Sequence, residues 1–181
     1  MAKQMFVKNT ANNMLKKEIH RMRADIDRIK QKLDSKNIQR NKVIDMEDIK
    51  NFERENKIIL PEEIAIFYTN ICDGCKMIDD FDLLSFKEWK VNAKELQKEF
   101  EFEKYWIWED DFDEERVRKT VFGNIELINI GDAQSWNIVV TGKQRGKMWF
   151  FTDVGIQPCA PEMSFFEWFE YWLDGNEDYF L

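Results

Sequence analysis

The chain has 181 residues, of which 44% are hydrophobic, and this fits one domain with an appended element while excluding two ordinary domains or bulk disorder. Residues 1–48 contain 12 Lys and Arg against 7 Asp and Glu, whereas residues 49–181 contain 15 against 28, and the net charge of the chain is −8. Because an acidic body repels nucleic acid and attracts basic proteins, we expect a basic protein partner and no nucleic acid.

The start of the chain lacks the apolar core of a secretory signal, and no stretch reaches the roughly 18 apolar residues that span a membrane. The three cysteines are an odd number, which argues against a disulfide framework and fits a reducing compartment. We therefore expect a cytoplasmic protein that does not enter a membrane.

The first predicted element is an amphipathic helix whose apolar side chains follow a/d heptad spacing. These side chains are Leu15, Ile19, Met22, Ile26, Ile29 and Leu33. Fewer than three heptads are marginal for a free-standing coiled coil, so we expect the stripe to pack on its own domain, on a second copy or on a partner. We predict an N-terminal helix and linker over residues 1–42 and a domain over residues 43–181.

Helix start and stop signals follow in the next third of the chain. Asp45 is a predicted cap, and Leu60-Pro61-Glu62-Glu63 starts a helix that Asp73-Gly74 ends. Ser85-Phe86-Lys87-Glu88 has the pattern of a capping box. The apolar spacing after it predicts a helical face that continues to Phe100.

The last third of the chain has the alternation and turn residues of β-structure. We predict strands over residues 125–130, 136–140 and 148–152, with a hairpin loop over residues 142–146. A second capping box opens a helix over residues 164–173. Helices, an antiparallel meander and a closing helix predict an α+β fold.

Three groups of residues carry a family resemblance. The first is Ile49-x-x-Phe52-Glu53 with Leu60-Pro61-Glu62-Glu63-x-x-x-Phe67 and Asp73-Gly74. The second is Ile128-x-Ile130-Gly131-Asp132 with Gly146-Lys147-Met148-Trp149-Phe150-Phe151, and the third is Ser164-Phe165-x-x-Trp168-Phe169-x-x-Trp172-Leu173. In this order and spacing, residues 46–175 resemble the SUKH superfamily, also called the cell-wall-assembly-regulator domain. The chain departs from the family pattern at Ile64, where an aromatic residue is usual, and at Cys75, where a small residue is usual.

The resemblance implies an antiparallel or mixed sheet flanked by helices that serves as a protein-binding platform. Bacterial members of the superfamily resemble immunity proteins that are encoded beside polymorphic toxins, many of them nucleases, and fungal members are regulators of cell-wall synthesis. The superfamily has no shared catalytic residues. The resemblance therefore implies an immunity protein without a cofactor, and not an enzyme.

The acidic run from Glu109 to Glu115 lies between aromatic residues and is the predicted partner site. Aromatic anchors beside charges of one sign suit the capture of a basic protein, and the acidic charge would speed its approach. The alternative is a solvated loop whose aromatic neighbours belong to the core. The predicted contact residues are Trp106, Trp108, Asp110, Asp111, Asp113, Glu114 and Glu115.

Cys72-Asp73-Gly74-Cys75 is a CxxC motif, but no preceding strand places it in a thioredoxin-like unit. As a zinc half-site it would need two more ligands, for which only Cys159 and His20 remain. The alternative is a helix C-terminal turn with two half-buried thiols. We expect no metal site, and a lone His20 supports no catalytic constellation.

Three functions stay open at this point. The first is an immunity protein that occludes the active surface of a cognate toxin. The second is a regulatory or scaffold module that forms a homodimer through its N-terminal helix. The third is an enzyme, which would require a close cluster of titratable groups in a pocket.

Overall fold

The computed structural model describes residues 20–78, 81–109 and 112–180. Helices accompany antiparallel sheets, so the predicted α+β class is confirmed. The chain divides into two units, one that ends at Asn37 and one that begins at Ile38. Within the described ranges, no helix is both long enough and apolar enough to cross a membrane.

The N-terminal unit contains helix α1, whose described part spans residues 20–35. Met22, Ile26, Ile29 and Leu33 share one face of this helix because they are three or four residues apart. Leu15 and Ile19, the other members of the predicted stripe, lie outside the described residues. The helix ends at Ser35, and Asn37 in the turn after it has a φ of 53°, a left-handed conformation that asparagine tolerates.

The second unit contains α2 to α6 and two short 3₁₀ turns. The helices are α2 at Met46–Asn56, α3 at Glu62–Ile66, α4 at Ala93–Leu96, α5 at Glu114–Lys119 and α6 at Phe165–Leu173. The 3₁₀ turns are Phe86–Glu88 and Glu177–Phe180. All three predicted caps are found, since Asp45, Ser85 and Ser164 each open a capping box.

Helix α3 continues into one turn of π-helix at Phe67–Ile71, which the backbone amide of Cys72 closes by donating to the Phe67 carbonyl at 3.1 Å. The widened turn brings the Tyr68 hydroxyl to the Leu84 carbonyl, to which it donates at 2.7 Å. The following turn requires glycine, because Gly74 has a φ of 80° and a Cβ there would lie 2.5 Å from the Leu83 carbonyl oxygen.

Two antiparallel sheets follow. The smaller sheet pairs β1 at Cys75–Ile78 with β2 at Phe81–Leu83. The larger sheet has the order β3-β7-β6-β5-β4. Its strands are β3 at Trp106–Ile107, β4 at Asn124–Gly131, β5 at Gln134–Val139, β6 at Met148–Phe151 and β7 at Gly155–Pro158. The sheets adjoin where the Leu84 amide donates to the Leu127 carbonyl at 2.9 Å.

One face of the larger sheet, here the helix-covered face, packs on α6. Trp136 and Phe150 are cross-strand partners on it, and the Trp136 ring lies 5.5 Å from that of Trp168. Phe67 joins from the π turn, with its ring 4.8 Å from that of Phe169. These aromatic contacts close the main core.

The opposite face of the sheet, here the second face, carries Asn137 and its cross-strand partner Trp149. Phe100 and Phe102 cover one end of this face, and the Phe100 ring lies 4.8 Å from that of Trp149. The other end of the second face, over β4 and β5, is left open to a cavity. The candidate sites lie on and beside this face.

The prediction that one helical face continues from the first capping box to Phe100 is wrong. Trp89 turns to extended backbone with a ψ of 119°, and its ring packs 5.0 Å from the Tyr68 ring. Asn92 then caps a new helix, because its side chain accepts a hydrogen bond from the Lys94 amide at 3.0 Å. Because the helix is interrupted between Trp89 and Asn92, Phe100 can reach the second face of the sheet.

Candidate functional site

The predicted partner residues that the structure describes lie on β3, on α5 and in the segment between them. Trp106 is only 6% exposed and stacks on Phe102 with ring centroids 5.8 Å apart. It also faces its strand partner Ile156. The Trp106 ring therefore belongs to the core of the second face and offers a partner no surface in this structure.

Trp108 is half-buried and firmly held. Its indole Nε1 donates to the Asp153 carbonyl at 2.8 Å, and its backbone amide donates to the Val154 carbonyl at 2.9 Å. Its ring lies 5.5 Å from that of Trp106. Trp108 can thus present one edge to a ligand or a partner without losing its hydrogen bond.

The described acids among the predicted contact residues lie at the start of α5. Asp113 caps this helix, since its carboxylate accepts from the Arg116 amide at 3.1 Å. Glu114 and Glu115 follow at the positive end of the helix, which favours negative charge. All three are exposed, and the Glu115 side chain is 81% exposed. Asp110 and Asp111 lie outside the described residues.

The second half of α5 is basic and partly neutralises this charge. Lys119 lies 3.3 Å from the Glu101 carboxylate and 3.7 Å from that of Glu115. The hydrogen bond with Glu101 is the main cause of the raised pKa of Lys119. Exposed pairs of this kind contribute little stability, but they confine the net negative charge to the helix start.

Three exposed apolar side chains beside the acids were not among the predicted contact residues. Tyr105, Ile107 and Phe112 are 69%, 41% and 71% exposed, and they are three of the seven exposed large hydrophobic side chains in the described part of the chain. Strand alternation could have identified the first two, because Tyr105 and Ile107 flank the inward-facing Trp106. We call residues 105–115 the partner segment.

The CxxC motif is a buried structural element. Cys72 and Cys75 are free thiols and both are buried, so the expectation of half-buried thiols is wrong. A hydrogen bond with Cys72, followed by burial, raises the pKa of Cys75 well above its ordinary value. A thiol with a raised pKa is a poor nucleophile and a poor metal ligand at neutral pH.

No group of three or more His, Cys, Asp or Glu residues in the described ranges is arranged to hold a metal ion. His20 is exposed on α1.

Comparisons with protein-family models, curated proteins and solved structures found no match. The resemblance to the SUKH superfamily therefore stays a prediction from the three groups of residues.

Proposed function

We propose that this protein is a cytoplasmic immunity protein of the SUKH type. It binds a basic toxin domain through the partner segment and occludes the toxin's active surface. The observation that carries the proposal is the exposure of Tyr105, Ile107 and Phe112 directly beside the acids of α5.

The apolar part of the segment supports binding of a protein. Large apolar side chains that face water lose that contact when a partner covers them, which stabilises a complex by roughly 25 cal/mol for each Å² removed from water. Aromatic residues dominate the centres of protein interfaces. Tyr105 and Phe112 have the chemistry and the exposure of such anchors.

The acidic part supports a basic partner. Glu114 and Glu115 are exposed on a body that is itself acidic, and surface charge of one sign speeds the approach of a partner of the opposite sign. A nuclease presents a basic surface where it binds phosphates, so an acidic inhibitor can cover that same surface. Occlusion of this kind is steric and electrostatic and uses no cofactor.

Localisation in the cytoplasm is part of the proposal. Cys72, Cys75 and Cys159 are all free and buried, which is compatible with a reducing compartment. An inhibitor that protects the producing cell must also be present where the toxin would act.

Capture of the partner tests the proposal. Tagged protein would be incubated with an extract of its own host and washed at low and high salt. We expect one basic protein in stoichiometric amount, retained at low salt and weakened at high salt because screening reduces steering and charge attraction. The variant Phe112→Ser combined with Glu114→Gln and Glu115→Gln should retain at least about tenfold less of it.

The matched control is Glu177→Gln combined with Asp178→Asn, which removes the same charge from two exposed side chains of the 3₁₀ turn at Glu177–Phe180. It should capture the partner like the unmodified protein. Equal loss in both variants, or capture of no basic protein, would contradict the assignment of the partner segment.

A second candidate function, a regulatory or scaffold module, rests on the apolar stripe of α1. Met22 and Ile26 are half-buried and share a face of that helix with Ile29 and Leu33, which are 0% exposed within the single chain. The a/d spacing of these four side chains is typical of helices that pair. In this alternative the helix forms a homodimer while the second unit binds another protein.

A further inference from the structure

A cavity of about 670 Å³ opens on the second face of the sheet. It lies between α4, the end of α5 and the strands β4 and β5, and its floor carries Asn124, Ser135 and Asn137. A volume of this size falls in the range of small-molecule sites, which are typically 300–1,000 Å³. Of the predicted partner residues that the structure describes, only Trp108 lines it.

Buried polar residues concentrate in this cavity. Thr120, Ser135 and Asn137 line it and are three of the five buried polar residues in the described ranges. Asparagine is disfavoured within strands, and burying an amide costs free energy unless it is hydrogen-bonded. The next position on the same face of β5 is the apolar Val139, so the polar floor interrupts an apolar surface.

The floor is held in one orientation by a chain of hydrogen bonds. Ser135 Oγ donates to Asn137 Oδ1 at 2.7 Å, and Asn137 Nδ2 donates to Asn124 Oδ1 at 2.8 Å. Asn124 Nδ2 then donates to the carbonyls of Thr120 and Phe122 at 2.7 and 2.9 Å. Polar groups that are fixed before binding do not have to be ordered when a ligand binds, which lowers the free-energy cost of binding.

Hydrogen-bonding capacity remains on this floor. An amide side chain has two N–H donors, and the second N–H of Asn137 has no acceptor among the residues that the structure describes. The Ser135 hydroxyl, which donates to Asn137, retains its lone pairs as acceptors. The cavity floor can therefore donate to a ligand oxygen and accept from a ligand hydroxyl or amide.

The walls define the rest of the ligand. Trp108 and Phe151 supply aromatic surface, and the Trp108 indole N–H is already bonded to Asp153. Among the residues that the structure describes, the charged lining consists of Lys90, Glu95 and Glu126, so acids outnumber bases and an anion would be repelled.

We propose that this cavity binds an uncharged ligand of sugar size that carries hydroxyl and amide groups and one apolar face. The hydroxyl and amide groups meet the Ser135 and Asn137 side chains, and the apolar face lies against Trp108 and Phe151. The cavity shares Trp108 with the partner segment, but the ligand proposal does not rest on the proposed toxin inhibition.

Ligand-observed NMR tests the proposal with the full chain. The probes are N-acetylglucosamine and glucose at millimolar concentrations, with N-acetylglucosamine 6-phosphate as the anionic comparison. We expect saturation transfer to N-acetylglucosamine, weaker transfer to glucose, which lacks the amide, and none to the phosphate ester.

Two variants locate the binding. Asn137→Leu removes the amide at similar volume and should weaken N-acetylglucosamine at least about tenfold. Ala133→Trp fills the mouth of the cavity from an exposed turn position and should abolish binding even if Asn137→Leu fails to fold. Asn70→Ala, an exposed amide outside the cavity lining, is the matched control and should bind normally. Binding of neither neutral sugar, or binding that Ala133→Trp leaves unchanged, would overturn the proposal.

Discussion

The guanidinium carbon of Arg116 lies 4.5 Å from the centroid of the Trp106 ring. The same group lies 5.6 Å from the centroid of Phe102, and Val117 packs on the same cluster. A cation over an aromatic ring stabilises by about 0.5–2 kcal/mol. This contact holds α5 on the second face of the sheet, and the acids of its first turn remain on the surface.

Truncation to alanine should change the free energy of unfolding far more at Trp106 than at Phe112. Trp106→Ala removes a buried ring and should lower the free energy of unfolding by about 3–5 kcal/mol. Phe112→Ala removes an exposed ring and should change it by less than about 0.5 kcal/mol. Urea unfolding of both variants measures the difference, and a similar loss in each would contradict the placement of Trp106 in the core.

The capping box at Ser85 predicts a linked change in stability and titration. Glu88 accepts hydrogen bonds from the Ser85 hydroxyl and from its backbone amide, and these bonds lower the pKa of Glu88. Ser85→Ala should destabilise the protein by about 1 kcal/mol and raise the pKa of Glu88. NMR titration of the Glu88 carboxyl measures the second effect.

The sign of the pH dependence follows from the lowered pKa. A carboxyl with a depressed pKa in the folded state stabilises above its unfolded pKa, and this contribution is lost as the pH falls through the folded value. Ser85→Ala should therefore lose less stability on acidification than the unmodified protein. An unchanged pKa of Glu88 in this variant would show that the hydroxyl does not bond the carboxylate.

The carboxyl of Asp73 should give the free energy of unfolding the opposite pH dependence. Burial raises its pKa, although its carboxylate accepts a hydrogen bond from the Phe86 amide at 2.6 Å. A carboxyl whose pKa is raised in the folded state stabilises the protein in acid. This contribution to the free energy of unfolding is lost as the pH rises through the folded pKa. Asp73→Asn keeps an acceptor for the Phe86 amide and removes the titration, so its stability relative to the unmodified protein should improve as the pH rises.

Urea unfolding of the Asp73→Asn protein at neutral pH and in acid measures this trend. A stability difference that is the same at both pH values would contradict it.

The apolar stripe of α1 predicts an observable oligomeric state under the scaffold alternative. Light scattering of the full-length protein should then give a dimer, and a version lacking residues 1–37 should give a monomer. Under the immunity proposal, one copy of the full-length protein binds one copy of its partner. A full-length monomer would remove the scaffold alternative.

Local signals in the sequence predicted much of the fold. The boxes at Ser85 and Ser164 depend on residues three positions apart, and the hairpin from β5 to β6 depends on alternation and a short polar loop. Such signals need no knowledge of distant contacts. The predicted strands over residues 125–130 and 148–152 correspond to β4 and β6 for the same reason.

The features that sequence reasoning missed depend on tertiary packing. The β1–β2 hairpin and strand β7 lack clear alternation. Strand β7 ends at Pro158, which pairs with β6 but not with the two-residue strand β3. The inward direction of Trp106 required the position of its partner Ile156. The cavity forms from segments that are distant in sequence, so no motif marked its floor.

Inhibition of the captured partner is the decisive test of occlusion. Purified protein would be titrated into the partner's own activity assay. We predict that the partner's activity falls to zero at one equivalent of the protein. Excess substrate should slow the onset of inhibition, because substrate and inhibitor compete for the same surface. A partner that binds stoichiometrically and keeps its full activity would contradict occlusion and with it the immunity function.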